Sequence, residues 1–179
     1  MDSDLIENGK LKMDNVLIEK ARKIKLLLTD CDGVLTDGGV YYGENGEVLK
    51  RFNIRDGMGV ERLRKLVNVE TGIITGEVSP SVKTRAEKLN ITELHLGIKH
   101  KPSILQAILK RRNLQADEVA YIGDDTNDVE IMKLVGLSGC PADAMIFTKN
   151  KAHYICENKG GEGAFREFAE LIIQAISEV

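Results

Sequence analysis

The sequence predicts an α/β fold built on one doubly wound, Rossmann-like parallel sheet, and three observations carry that reading. Five short apolar runs, at 24–29, 69–75, 93–97, 119–123 and 136–140, each close at Gly, Thr, Asp or Pro. Helical patterns fill the intervals at 58–66, 79–89, 101–112 and 127–135. The runs are continuously apolar, as strands are when helices cover both faces of a sheet.

The elements follow in order. Residues 1–22 are polar and helix-prone, and are expected as a loose or peripheral lead-in to a single domain over 23–179. Run 24–29 is the first strand and ends at Asp30-Cys31-Asp32-Gly33. Segment 39–54 breaks the alternation: Asn45-Gly46 between two β-prone arms predicts an inserted hairpin with Tyr42 opposite Leu49 and Val40 opposite Arg51. A two-stranded ribbon alone is marginal, so it should pack on its own sheet or pair with copies from other subunits, with Tyr41 and Tyr42 as packing residues. Helix 127–135 should turn Val129, Met132 and Val135 inward. The final helix, 164–176, carries Phe165, Phe168, Leu171, Ile172 and Ala175 at helical spacing.

Composition limits the function. A chain of 179 residues with 42% hydrophobic and 30% charged residues reads as an ordinary soluble domain with a full core. The net charge of −3 gives no footprint for nucleic acid or an anionic membrane. No stretch is long enough to span a bilayer, and Met1-Asp2-Ser3-Asp4 lacks a signal-peptide layout. Cys31, Cys140 and Cys156 have no metal-ligand spacing and are odd in number. The expectation is a cytoplasmic protein with three small buried thiols. His95, His100 and His153 share no metal-like spacing and read as structural or surface residues.

Ligands in such folds bind beyond the carboxyl ends of the strands, where Asp30, Thr75 and Asp124 fall. Asp30 and Asp32, two apart, point to the same side of an extended chain. Two carboxylates in one small volume are costly unless a cation or phosphate chemistry uses them. A lone Asp-x-Asp is usually turn chemistry, as is Thr75 before Gly76, and Asp124-Asp125 could simply cap a helix. Three such features in order at strand ends, with Lys101 at a helix start between the last two, are harder to explain that way. A carboxylate can attack phosphorus, and a neighbouring acid can protonate the leaving oxygen and later activate water. Carboxylate and phosphate repel by roughly 4 kcal/mol per charge pair at contact. A hard dication held by Asp30 and Asp124 offsets that repulsion. Lys101 at a helix start opposes the helix dipole and so wants an anion; it offers a compact charge to a phosphoryl oxygen, while the Thr75 hydroxyl and the backbone N–H groups beside Gly76 hold the others.

This set resembles the haloacid dehalogenase superfamily, whose four motifs match Asp30/Asp32, Thr75, Lys101 and Asp124/Asp125/Asp128 over most of 24–176. The resemblance implies Asp30 as nucleophile and Asp32 as acid/base. It further implies Mg2+ on Asp30, the Asp32 backbone carbonyl and Asp124, with Asp125 and Asp128 in support. About 40 residues separate Asp32 from Thr75 and 26 separate Thr75 from Lys101, which leaves no room for a cap domain.

The chain is therefore similar to the capless branch acting on 2-keto-3-deoxy sugar-acid phosphates, through 32–38, 52–59 and 160–167. That branch implies a homotetramer in which the hairpins assemble and neighbours close the site. Its substrates leave two readings level. The intact Asp56-Gly57-Met58-Gly59 is nearer the octulosonate 8-phosphate phosphatases. Glu77 with Arg85 and Lys88 is similar to the nine-carbon nonulosonate 9-phosphate phosphatases, and Arg166 after the 160–163 glycines is a further candidate contact. Segment 136–144 resembles a phosphatase-like domain attached to some acylneuraminate cytidylyltransferases, so a non-catalytic partner module is the alternative, opposed by the intact Asp30, Asp32, Lys101 and Asp124. A phosphoacceptor receiver domain is disfavoured by Asp32, because receivers must not hydrolyse quickly.

Overall fold

The computed structural model describes residues 6–7, 10–11 and 14–177. Strands β1 (Ile6–Glu7) and β2 (Lys10–Leu11) pair antiparallel. Helix α1 (Asn15–Arg22) is capped by Asp14, whose side chain accepts from Leu17 N. The remaining elements are β3 (Leu26–Thr29), β4 (Thr36–Gly43), β5 (Gly46–Phe52), α2 (Ile54–Val67), β6 (Glu70–Ile74), α3 (Pro80–Lys88), β7 (Glu93–His95), α4 (Lys101–Arg112), β8 (Val119–Ile122), α5 (Val129–Met132), β9 (Leu137–Cys140), α6 (Ile146–Lys149), β10 (Tyr154–Ile155) and α7 (Ala164–Ser177).

The main sheet is parallel throughout, in the order β10-β9-β8-β3-β6-β7. The chain builds β6 and β7 on one side of β3, then returns to add β8, β9 and β10 on the other. This reversal puts a crevice between the carboxyl ends of β3 and β8. Thr29 pairs with Ile122, and Asp30 N donates to Ile122 O at 2.9 Å, so Asp30 and the loop after β8 leave the sheet at the same level.

Alternation along the strands divides the core. Leu27 and Ile73 face α2 and α7, packing with Leu63, Phe165 and Phe168; Leu26, Leu28 and Ile74 face Leu105, Ile108 and Ile131. Helix α7 repeats the predicted stripe, with Phe165, Phe168, Leu171, Ile172 and Ala175 all buried. The three cysteines are buried and unbridged, and no described helix is long and apolar enough to cross a membrane.

Several expectations are corrected. Within the 1–22 lead-in, α1 is docked: Ala21 is buried, Leu17 and Ile18 lie on the core, and Arg22 Nε donates to Ala175 O. The rest of that segment, apart from the β1–β2 pair, lies outside the described residues. The hairpin turns one residue earlier than predicted, at Glu44-Asn45, because Gly43 pairs with Gly46. Tyr42 therefore faces Glu47, Tyr41 faces Leu49 and Val40 faces Lys50, and Val48 is an extra residue opposite the Tyr41–Tyr42 step, a β-bulge. The ribbon forms its own two-stranded sheet and leaves Tyr41 and Tyr42 exposed instead of packed. Helix 127–135 is a 3-10 turn, Thr126–Asp128, followed by the short α5.

Candidate active site

Three strand ends meet at a cleft of about 300 Å³ lined by Asp30, Asp32, Gly33, Gly38, Thr75, Gly76, Glu77, Asp124, Asp125 and Asn127. Asp30 follows β3 and is 5% exposed, and its Oδ1 accepts from Cys31 N at 2.8 Å. Thr75 follows β6, anchored by Thr75 N donating to His95 O, and its hydroxyl accepts from Glu77 N. Asp124 follows β8. Asp30, Asp124 and Asp128 each bring a carboxylate oxygen within 4.8 Å of the others.

Asp128 is fully committed within this cluster. Its Oδ1 accepts from Lys101 Nζ at 2.6 Å and from the Tyr121 hydroxyl at 2.6 Å, and its Oδ2 accepts from the backbone N–H of Asp124 and Asp125. It holds the loop and the lysine. Asp125 caps the 3-10 turn, with its side chain accepting from Thr126 N. Asp124 is in the opposite condition, since its Oδ1 is buried without a hydrogen-bond partner among the described residues.

Electrostatics follow from this crowding. Burial, then the charges of Asp30, Asp128 and Asp125, push Asp124 up to about 8. Burial and then Asp128 push Asp30 up to about 7, although Lys101 Nζ, 3.1 Å away, pulls the other way. For Lys101, burial opposes the ammonium, but Asp30 and Asp128 outweigh it and hold its pKa above the ordinary value. One ammonium thus faces three carboxylates. An unpartnered buried oxygen on Asp124 beside Asp30 is the donor set a hard dication fits, and Asp30 and Asp124 are the residues free to hold it. Gly33 completes the cradle: with φ +85°, a Cβ there would lie 2.1 Å from Asp124 Oδ2.

Asp32 lines the same cleft, but its carboxylate is gripped from the hairpin. Lys50 Nζ donates to both Asp32 oxygens at 2.6 Å. Lys101, expected to meet a phosphoryl oxygen, does not line the cleft; it is 2% exposed, behind Asp30.

The other expected substrate contacts lie elsewhere in this single chain. Asp56 is 2% exposed and accepts from Arg166 N at 2.9 Å, capping α7 from the side. Arg166 turns to Glu170. Arg85 donates to Asn53 O and covers the Phe52 ring, and with Lys88 it lines a separate groove between the hairpin and α3. Asp56, Arg85, Lys88 and Arg166 are therefore not brought to Asp30, whereas Glu77 is. The glycines at 160–161 pack tightly: a Cβ on Gly160 would lie 1.9 Å from Gly33 O, and Gly161 N donates to Val34 O. Sequence reasoning missed Lys50 and Tyr121, since a lysine in an exposed-looking ribbon and a tyrosine in an apolar strand carry no motif.

Comparison with known proteins bears on this geometry. The family description "haloacid dehalogenase-like hydrolase" matches residues 63–167. The chain is 38% identical to a 3-deoxy-D-manno-octulosonate 8-phosphate phosphatase of Haemophilus influenzae, covering 88% of this chain and 87% of the relative. It is 42% identical to the protein of that name in Escherichia coli K12, over 89% and 84% of the two chains. The crystal structure of the Yersinia pestis phosphatase of the same name superimposes with a TM-score of 0.91 at 40% identity, covering 97% of this chain and 93% of that one. The Moraxella catarrhalis phosphatase, solved with magnesium ion, phosphate ion and KDO, gives 0.88 at 34% identity, over 93% and 95%.

Proposed function

This chain belongs to the haloacid dehalogenase-like hydrolases, and on that premise we propose that it is a Mg2+-dependent phosphatase of 3-deoxy-D-manno-octulosonate 8-phosphate. The observation that carries the reading is the convergence of Asp30 and the unpartnered Asp124 oxygen beside Asp32 at the β3–β8 crevice. The names of the relatives favour the eight-carbon acid over the nine-carbon one. Intact Asp30, Asp32, Lys101 and Asp124 favour turnover over a non-catalytic module.

In this reading the Asp30 carboxylate attacks phosphorus. An Asp30 Oδ–P bond forms as the P–O bond to the sugar breaks, and Asp32 passes its proton to the departing oxygen. Asp32 then takes a proton from a water whose oxygen attacks phosphorus, and the acyl-phosphate bond breaks to return Asp30. Asp30, Asp124 and the Asp32 carbonyl would hold Mg2+, which would supply neutralisation of the charge shared by nucleophile and phosphate. Thr75 and the backbone around Gly76 orient phosphoryl oxygens, and Lys101, behind Asp30, balances the carboxylates. The exposed Tyr41, Tyr42, Val48 and Leu49 support a homotetramer assembled through the ribbons, with the Arg85 and Lys88 groove serving a neighbouring site.

The test is phosphate release from the 8-phosphate and 9-phosphate sugar acids and a generic aryl phosphate, assayed side by side with Mg2+ and with chelator. Preference for the 8-phosphate that disappears in chelator is the expected outcome. Equal turnover of all three esters would replace the assignment with a promiscuous phosphatase.

A further inference from the structure

Lys50 is the one buried residue of β5, although it sits on a ribbon whose neighbouring side chains are exposed or half-buried. Its side chain is 1% exposed and spans from the hairpin to both oxygens of Asp32 at 2.6 Å. Burying an ammonium is costly unless it is paired and hydrogen-bonded. Here burial lowers its pKa, but the Asp32 hydrogen bond and charge outweigh that and hold it above the ordinary value. Behind Lys50, Glu47 Oε2 lies 3.6 Å from Nζ. The other Glu47 oxygen accepts from the Ser79 hydroxyl, whose oxygen also caps α3 by accepting from Val82 N. The relay therefore runs from the helix that follows Thr75 and Gly76, through the ribbon, to Asp32. Thr36 Oγ1, 3.4 Å from Asp32 Oδ1, is the only other side-chain donor to that carboxylate among the described residues.

We propose that Lys50 is a positioning residue that holds the Asp32 carboxylate aimed into the cleft for the half-reaction in which Asp32 takes a proton from water. The inference rests on the phosphatase reading above. Two charge-assisted bonds from one buried nitrogen restrict both side-chain torsions of Asp32, and a base off its line by an ångström loses much of its effect. If Lys50 merely stapled the hairpin, both half-reactions would fall together in its absence.

An aryl phosphate separates the two. Nitrophenolate leaves without a proton from Asp32, so the first half-reaction reports on Asp30 and the second on Asp32. In rapid-quench experiments Lys50→Met should keep a burst of nitrophenolate while steady-state release falls roughly tenfold or more, with phosphate trapped on Asp30. Lys50→Arg, which keeps a buried cation with two donors, should recover most of the steady-state rate. Should Lys50→Met not fold, Lys50→Gln is read the same way, because it removes the charge that grips Asp32 and keeps a polar tip on the ribbon.

Burst and steady state declining together, or neither declining, would overturn the positioning role while leaving the phosphatase reading in place. Wild-type protein that releases no phosphate, or Asp32→Asn turning over at the wild-type rate, would instead overturn that reading and the inference with it.

Discussion

The acidic cluster should make folding stability depend on pH in a way that Mg2+ cancels. Asp30 ionises near 3.8 in an unfolded chain and near 7 in the fold, and each such step is worth about 1.4 kcal/mol, so ionising the buried group opposes folding by about 4 kcal/mol. Asp124, pushed to about 8, contributes in the same direction, but the two share one mutual repulsion and are not summed. Because both folded-state values are raised, the stability is fully present below about pH 4 and is lost as pH rises through 7 and 8. Urea unfolding in chelator should therefore weaken across that window. With Mg2+ present the loss should shrink, and the gap between the two curves should open by about 2.8 kcal/mol per pH unit up to about pH 7, while the ion displaces one proton from each carboxylate, and by about half that between about pH 7 and 8. Asp56, raised to about 6 by burial, titrates equally in both curves and drops out of the difference. Parallel curves between about pH 5 and 8 would mean that Asp30 and Asp124 do not share an ion.

Other substitutions test single parts. Asp30→Asn should abolish phosphate release while circular dichroism and the melting profile stay native-like; an active variant would refute the nucleophile. Gly33→Ala forces a methyl group against Asp124 Oδ2 from a left-handed backbone, and calorimetry should show Mg2+ affinity falling by roughly tenfold or more. Asp56→Ala removes the side-on cap of α7 and should cost about 1–2 kcal/mol in urea unfolding, with KM changed less than twofold. A large rise in KM would return Asp56 to the substrate site.

Much of this protein is local in origin and could be read without coordinates. Continuous apolar runs gave strands close to their observed ends, and α4 spans the predicted 101–112, because Pro102 favours its first turn and Asn113, at φ 52°, ends it. Asp30, Thr75 and Asp124 were legible for the same reason: each sits one or two residues past the end of a strand, so backbone geometry alone aims it at the crevice, and Asp32 follows in the turn after β3. The four-residue α6 and two-residue β10 were not, since such lengths show no period. The hairpin slipped register because Gly43 and Gly46 could both flank a turn, and only the bulge at Val48 chooses between them.

What the order of residues determined by itself was the sheet, its carboxyl-end crevice and the carboxylates placed there. Only the tertiary structure decided their company. Lys50 reaches Asp32 across 18 residues, Lys101 reaches Asp128 across 27, and Asp56 leaves the expected substrate site to cap a helix 110 residues away. Strand ends obey short-range rules of propensity and pattern, whereas a buried charge takes whichever partner the packed chain brings within hydrogen-bond reach, and no spacing along the sequence encodes that distance.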